Sequence, residues 1–199
     1  VCSSDLEWTG LFHTYTWSQY TAESTYNDED HYTPREGIPG EIWLEAYSGP
    51  LIDLARTKDL AAAAGDKNLE AVADIMMVNG FLFLTDLYGD VPYCEALDVV
   101  KHPQPAFTPQ AQIYPDLLKR LAADAAAITP GGSSASWSNW DHVYEGDLGR
   151  WQEFANSLRL RIAMRMSVPS AASARTEFAA AWAANRFDDR SEEHTSELQ

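Results

Sequence analysis

Asp66 to Gly89 reads DKNLEAVADIMMVNGFLFLTDLYG. Leu69, Val72, Ile75, Met76, Phe83, Leu84 and Leu87 recur at three- and four-residue intervals, so one helix over about Lys67 to Tyr88 is predicted. Its apolar positions are dense enough to make it the most buried element. Asp66 is placed to cap its first turn, Gly89 to stop it, and Pro92 to prevent its resumption.

Helical spacing continues on both sides of this segment, and no convincing alternating strand appears. Upstream, Trp8 to Ala22 is crowded with Trp8, Phe12, Tyr15, Trp17 and Tyr20, and a polar loop from Tyr26 to Gly40 follows. A helix from about Glu41 to Ala64 aligns Trp43, Tyr47, Leu51 and Leu54, ends at Gly65, and is kinked or split at Gly49-Pro50. Downstream, a Pro-rich loop leads to Thr108-Pro109, read as a cap followed by a first-turn proline. The next helix carries Tyr114, Leu118, Leu121, Ala125 and Ile128 on one stripe and meets Pro130-Gly131-Gly132. Asp147 caps another helix with Trp151, Ala155, Leu158, Ile162 and Met166 on one face. Pro169 separates it from an Ala-rich helix bearing Phe178 and Trp182. Helices with no sheet to cover must pack on each other, and stacked helix hairpins form an all-α superhelix. Aromatics within the helices, Trp43, Phe83, Trp151 and Trp182, are expected in the core.

The chain has 199 residues, 45% hydrophobic and 22% charged, enough for a substantial core. Its 14 Lys+Arg against 30 Asp+Glu give a formal net charge of -16, which repels phosphate backbones and anionic headgroups and argues against a nucleic-acid partner. Asn79, Asp86 and Gly89 interrupt the longest apolar runs, so no membrane span is expected. Two cysteines make neither a disulfide framework nor a multi-cysteine metal site.

The ends need separate treatment. Val1 to Leu6 (VCSSDL) and Arg190 to Gln199 (RSEEHTSELQ) look like translations of short-read sequencing adapters. Residues 1–6 and 190–199 are therefore expected to be non-native scars around a partial domain at 7–189, the interior of a longer gene. Setting aside Asp5, Glu192, Glu193, Glu197 and Arg190 leaves the chain strongly acidic. The adapter reading also explains Cys2, which otherwise resembles the lipidated cysteine of a bacterial lipoprotein.

The three long loops are the candidate functional segments. In one, Trp137, Trp140 and Tyr144 interleave with Asn139, Asp141 and His142, offering flat apolar faces beside hydrogen-bonding groups, as sugar rings require. Tyr26, His31 and Tyr32 offer the same in another. Any of these aromatics could instead pin its loop to the scaffold. Asp28, Glu29, Asp30 and Glu36 are a candidate calcium cluster without the usual calcium-loop spacing, and a solvated charge run is the commoner explanation. No other metal site or cofactor is expected. No GxSxG, HExxH or glycine-rich phosphate loop is present, and no carboxylate pair stands out for glycoside hydrolysis. Arg159, Arg161 and Arg165 are expected to pair with internal carboxylates such as Asp74 or Asp86.

Two stretches carry a resemblance. Thr85 to Leu97, TDLYGDVPYCEAL, and Asp147 to Ser167, DLGRWQEFANSLRLRIAMRMS, together resemble the signatures of SusD/RagB-like nutrient-binding outer-membrane lipoproteins of Bacteroidetes. The Trp43 to Leu54 helix and IYPDLL, Ile113 to Leu118, fit the same pattern; Cys94 departs from it, where the family more often has a small polar residue. The resemblance implies a truncated superhelix of tetratricopeptide-like helix hairpins and a non-catalytic role. It implies capture of oligosaccharides, or peptides in some branches, for a SusC-like TonB-dependent transporter, on the outer face of the outer membrane. Attachment there is through an N-terminal lipid expected to be missing from this fragment. It also implies architectural roles for Asp86, Gly89, Asp90, Pro92, Trp151, Asn156 and Arg159. Family ligand sites lie in variable loops, so no binding residue follows from it. A helical glycoside hydrolase and an intracellular helical-repeat scaffold are the alternative readings.

Overall fold

The computed structural model describes residues 16–22, 29–33 and 37–184, apart from the side chains of 29 and 37–39. Among these residues six α-helices dominate: α1 (Gly37–Ser48), α2 (Pro50–Ala64), α3 (Lys67–Tyr88), α4 (Gln110–Ala127), α5 (Leu148–Arg165) and α6 (Ala171–Ala184). Each packs chiefly on its neighbours in sequence, α2 and α4 on α3, α5 on α4 and α6 on α5, so the chain is a stack of helix hairpins. Short 3-10 turns lie at Glu29–His31 and Ser138–Trp140.

Local chemistry sets most boundaries. The expected helix over Glu41 to Ala64 is two helices, α1 starting earlier at Gly37 and α2 opening on Pro50, because proline is at home in a first helical turn but not in an interior. Gly65 closes α2 in the left-handed conformation (φ 74°), its N–H donating to Ala62 O at 3.1 Å. The Asp66 carboxylate accepts from Leu69 N at 3.0 Å and opens α3; Asp147 does the same for α5, accepting from Arg150 N at 3.1 Å.

The entry to α4 corrects two expectations. Thr108 does not cap it: Pro109 holds the cap position without a side-chain bond, and the Asp90 carboxylate, across the loop, accepts from Gln110 N at 2.8 Å. Val91–Pro92 also pairs antiparallel with Phe107–Thr108, so a minimal two-stranded sheet, β1 and β2, closes the Pro-rich loop.

The core runs along α3. Ile75, Val78, Leu82 and Leu84 meet Leu51 of α2, Ile113, Leu117 and Leu121 of α4, and Leu158 and Ile162 of α5, all essentially inaccessible. Phe81 is locked edge-on between Tyr47 (6.3 Å) and Tyr93 (4.9 Å). By length and composition α3 could cross a bilayer, contrary to the sequence expectation, but 61% of its most apolar window is buried inside the protein. Phe83, Leu87 and Trp182 are exposed rather than core, and Trp43 is half-buried against Tyr47, Tyr88 and Phe107. Helical spacing assigns a face, but only packing decides whether a neighbour covers it along its whole length.

Buried charge ties the helices together. Asp86 takes Arg165 at 3.0 Å and Arg161 at 3.7 Å and accepts the Tyr114 hydroxyl at 2.8 Å, joining α3, α4 and α5. Burial, with Asp86 beside it, pushes the Tyr114 phenol up to about 12. Asp74 does not pair with α5 as expected: Lys58 of α2 and Arg120 of α4 reach it first. Arg159 instead bonds Asn156 within α5 and Glu177 of α6, each at 3.1 Å.

Candidate functional site

Two exposed constellations involve the loops singled out above, the second together with residues 16–22 of the aromatic-rich segment before its loop. The first is the turn between α4 and α5. Asp141 organises it: Oδ1 accepts from Val143 N (2.9 Å) and Tyr144 N (3.2 Å), Oδ2 from Gly146 N (2.9 Å) and Trp151 Nε1 (2.6 Å). Burial alone would raise this carboxyl, but these donors outweigh it and hold it below the usual carboxylate range. Tyr144 packs edge-on to Trp151, centroids 5.1 Å apart, and tilted against Phe154. Ser134 Oγ donates to Gly146 O at 2.9 Å and closes the turn.

On this frame the three aromatics separate by role. Trp137 is 8% exposed and belongs to the core, with no acceptor for its Nε1 among the described residues, and Tyr144 is half-buried. Trp140 is 80% exposed and Asn139 beside it is also exposed, so an indole face and an amide project outward from a rigid base.

The second constellation brings residues 16–22 against the turn at 29–33. A cavity of about 420 Å³ is lined by, among others, Thr16, Gln19, Tyr20, Thr21, Asp30 and Tyr32. Tyr20 is 85% and Tyr32 58% exposed, so two phenol rings border a space furnished with hydroxyls, an amide and a carboxylate. The Tyr32 hydroxyl donates to Trp17 O at 3.3 Å, and Gln19 Nε2 donates to the Tyr32 oxygen at 3.4 Å. Gln19 (φ 61°) and Tyr32 (φ 56°) both hold left-handed backbone. That conformation is uncommon for residues with a β-carbon, so the two facing segments share local strain.

Of the sequence candidates, Tyr32 lines this cavity and His31 is exposed beside it, while Tyr26 lies outside the described residues. Sequence reasoning misses Gln19 and Tyr20; the one signal for Tyr20 is that it ends an aromatic-rich run beside a polar loop. Asp28, Glu36 and the Glu29 side chain also lie outside the described residues, and among those described no three His, Cys, Asp or Glu side chains converge as a metal site.

The signature positions all make internal contacts. Gly89 ends α3 at φ 77°, its N–H donating to Thr85 O, and Asp90 caps α4. Pro92 O accepts the Tyr47 hydroxyl at 2.7 Å, and Trp151 anchors to Asp141. Asp86, Asn156 and Arg159 make the helix-linking and within-helix bonds described above.

The family described as "Starch-binding associating with outer membrane" matches residues 8–198. Among solved structures, a chitin-binding protein is 29% identical with a TM-score of 0.79, covering 90% of this chain and 39% of its own. A Bacteroidetes SusD-like protein is 26% identical with a TM-score of 0.77, covering 91% and 34% respectively. A SusD homologue from Parabacteroides distasonis has a TM-score of 0.81 at 22% identity, covering 94% and 37%, and shows the shared fold alone. The chain thus spans well under half the length of these relatives. Among curated proteins none matches it. The stacked hairpins are the expected tetratricopeptide-like superhelix, and the chain belongs to the SusD-like family.

Proposed function

We propose that this chain is part of a surface subunit that captures neutral oligosaccharides and passes them to a SusC-like TonB-dependent transporter of the outer membrane, held there by an N-terminal lipid. The observation that carries this reading is the cavity between Tyr20 and Tyr32. Its volume lies within the range of small-ligand sites, and its rings would stack on sugar C–H faces while Gln19, Thr21 and Asp30 meet hydroxyls. The Asp30 carboxylate and the chain's charge of -16 oppose anionic sugars, so neutral glycans fit best. The starch-binding description of the family and the chitin-binding relative support the same class, and both describe binding rather than catalysis. Trp140, displayed with Asn139 on its braced turn, is a second sugar-stacking candidate.

Titration calorimetry of the 199-residue chain against starch and chitin oligosaccharides tests this. Binding is expected, with Tyr20→Ala or Tyr32→Ala weakening it about fivefold or more, an aromatic stacking contact being worth about 1 kcal/mol. No binding to either series, or equal affinity for all variants, refutes it.

A further inference from the structure

Between α2, α3 and α4 lies a group of charges that neither constellation uses. Asp74 of α3, 3% exposed, takes three donors and has room for a fourth at Oδ2: Oδ1 accepts from Lys58 Nζ at 2.7 Å and Arg120 Nη2 at 2.5 Å, and Oδ2 from Arg120 Nε at 3.1 Å. Arg120 also donates to the Tyr93 hydroxyl at 2.8 Å, and its guanidinium lies 5.8 Å from that ring's centre. The Tyr93 hydroxyl in turn donates to Asp116 at 2.5 Å. One turn beyond Arg120, Asp124 lies beside Asp74, and its Oδ2 is buried with no hydrogen-bond partner among the described residues.

Two carboxyl groups can hydrogen-bond only if one carries a proton. Lys58 and Arg120 donate to Asp74 and Tyr93 and not to Asp124, so an ionised Asp124 would leave a buried carboxylate oxygen without a donor beside a second carboxylate. We propose that Asp124 and Asp74 form a proton-sharing pair, with Asp124 neutral and donating to Asp74, and that this proton makes the α2–α3–α4 joint pH-sensitive. Burial and the neighbouring Asp74 push the Asp124 carboxyl up to about 8, against the smaller opposing pull of Lys58 and Arg120. A folded-state value above the unfolded one means the folded chain holds the proton more tightly. The stabilisation is fully present below the unfolded carboxylate value and is lost as pH rises towards and through the folded one.

Asp124→Asn keeps an N–H to donate to Asp74 and removes the titration. The folding constant of the wild-type chain, divided by that of Asp124→Asn, is expected to fall about tenfold per pH unit between about pH 5 and 7 and to level off above about 8. A ratio independent of pH overturns the proposal. The carboxyl ¹³C resonance of Asp124, followed by NMR in the wild-type chain, needs no variant. A midpoint well above the ordinary carboxylate value of about 3.9 supports the shared proton, and one at or below it refutes it.

Discussion

Asp141→Ala is the most informative single change to the loop architecture, because one carboxylate holds three backbone amides and a buried indole. Trp151 is 2% exposed, so loss of its acceptor strands Nε1 inside the protein. Leaving such a donor unsatisfied costs about 2 kcal/mol. The amides of Val143, Tyr144 and Gly146 regain water only in part, and their charge-assisted bonds contribute about 1 kcal/mol each. Because two of them share Oδ1, about 4 kcal/mol in total is expected, a fall in Tm of about 10 °C for a chain of this size. Asp141→Asn keeps one carbonyl oxygen and is expected to lose about half of that. The gap to wild type should also depend on pH. The Asp141 carboxyl is held below its ordinary value, so its stabilisation is present above the unfolded carboxylate range and lost as pH falls through the depressed folded value. Thermal melts of the three chains across an acid series measure both effects. A gap below about 1 kcal/mol at neutral pH, or one that persists undiminished in acid, refutes the reasoning.

Two further changes probe the helical frame. Gly89→Ala introduces a β-carbon with nothing within 4 Å of it. Its expected loss of about 1–3 kcal/mol in denaturant unfolding therefore reports only the positive-φ backbone. At Gly80 a β-carbon would sit 2.9 Å from Leu51 Cδ2. Gly80→Ala should therefore destabilise despite a helix-propensity gain of about 1 kcal/mol, and the penalty should shrink in a Leu51→Ala background, as a double-mutant cycle would show.

What was legible in the sequence was local. Asp66, Gly65, Pro50, Gly89 and Asp147 mark helix ends with chemistry that acts within a turn, and the structure puts ends there. The stripes Tyr114 to Ile128 and Trp151 to Met166 are buried as their spacing implies. What failed was non-local. Asp90 caps a helix from across a loop, in place of the adjacent Thr108, and Asp74 is claimed by Lys58 and Arg120 from two other helices. Trp137 and Trp140 sit in one loop with similar neighbours in sequence, yet one is core and the other surface, because only the tertiary packing decides which ring the scaffold covers. Gln19 carries no such mark and Tyr20 only its place at the end of an aromatic run, because lining this cavity depends on a facing segment and on backbone strain that residue types do not announce.

The excursion between α3 and α4 is fastened at its base. Asp90 holds Gln110 N, Gln110 Nε2 reaches back to Thr85 O at 2.6 Å, and Val91 pairs with Thr108. The two helix ends are thus buckled together whatever the ribbon beyond them does. Lengthening a ribbon whose feet are already clamped adds little ring-closure penalty, about 0.6 kcal/mol for each doubling. Evolution can therefore restyle this crest freely, swapping its length and ornament from one descendant to the next, while the beams beneath keep their alignment.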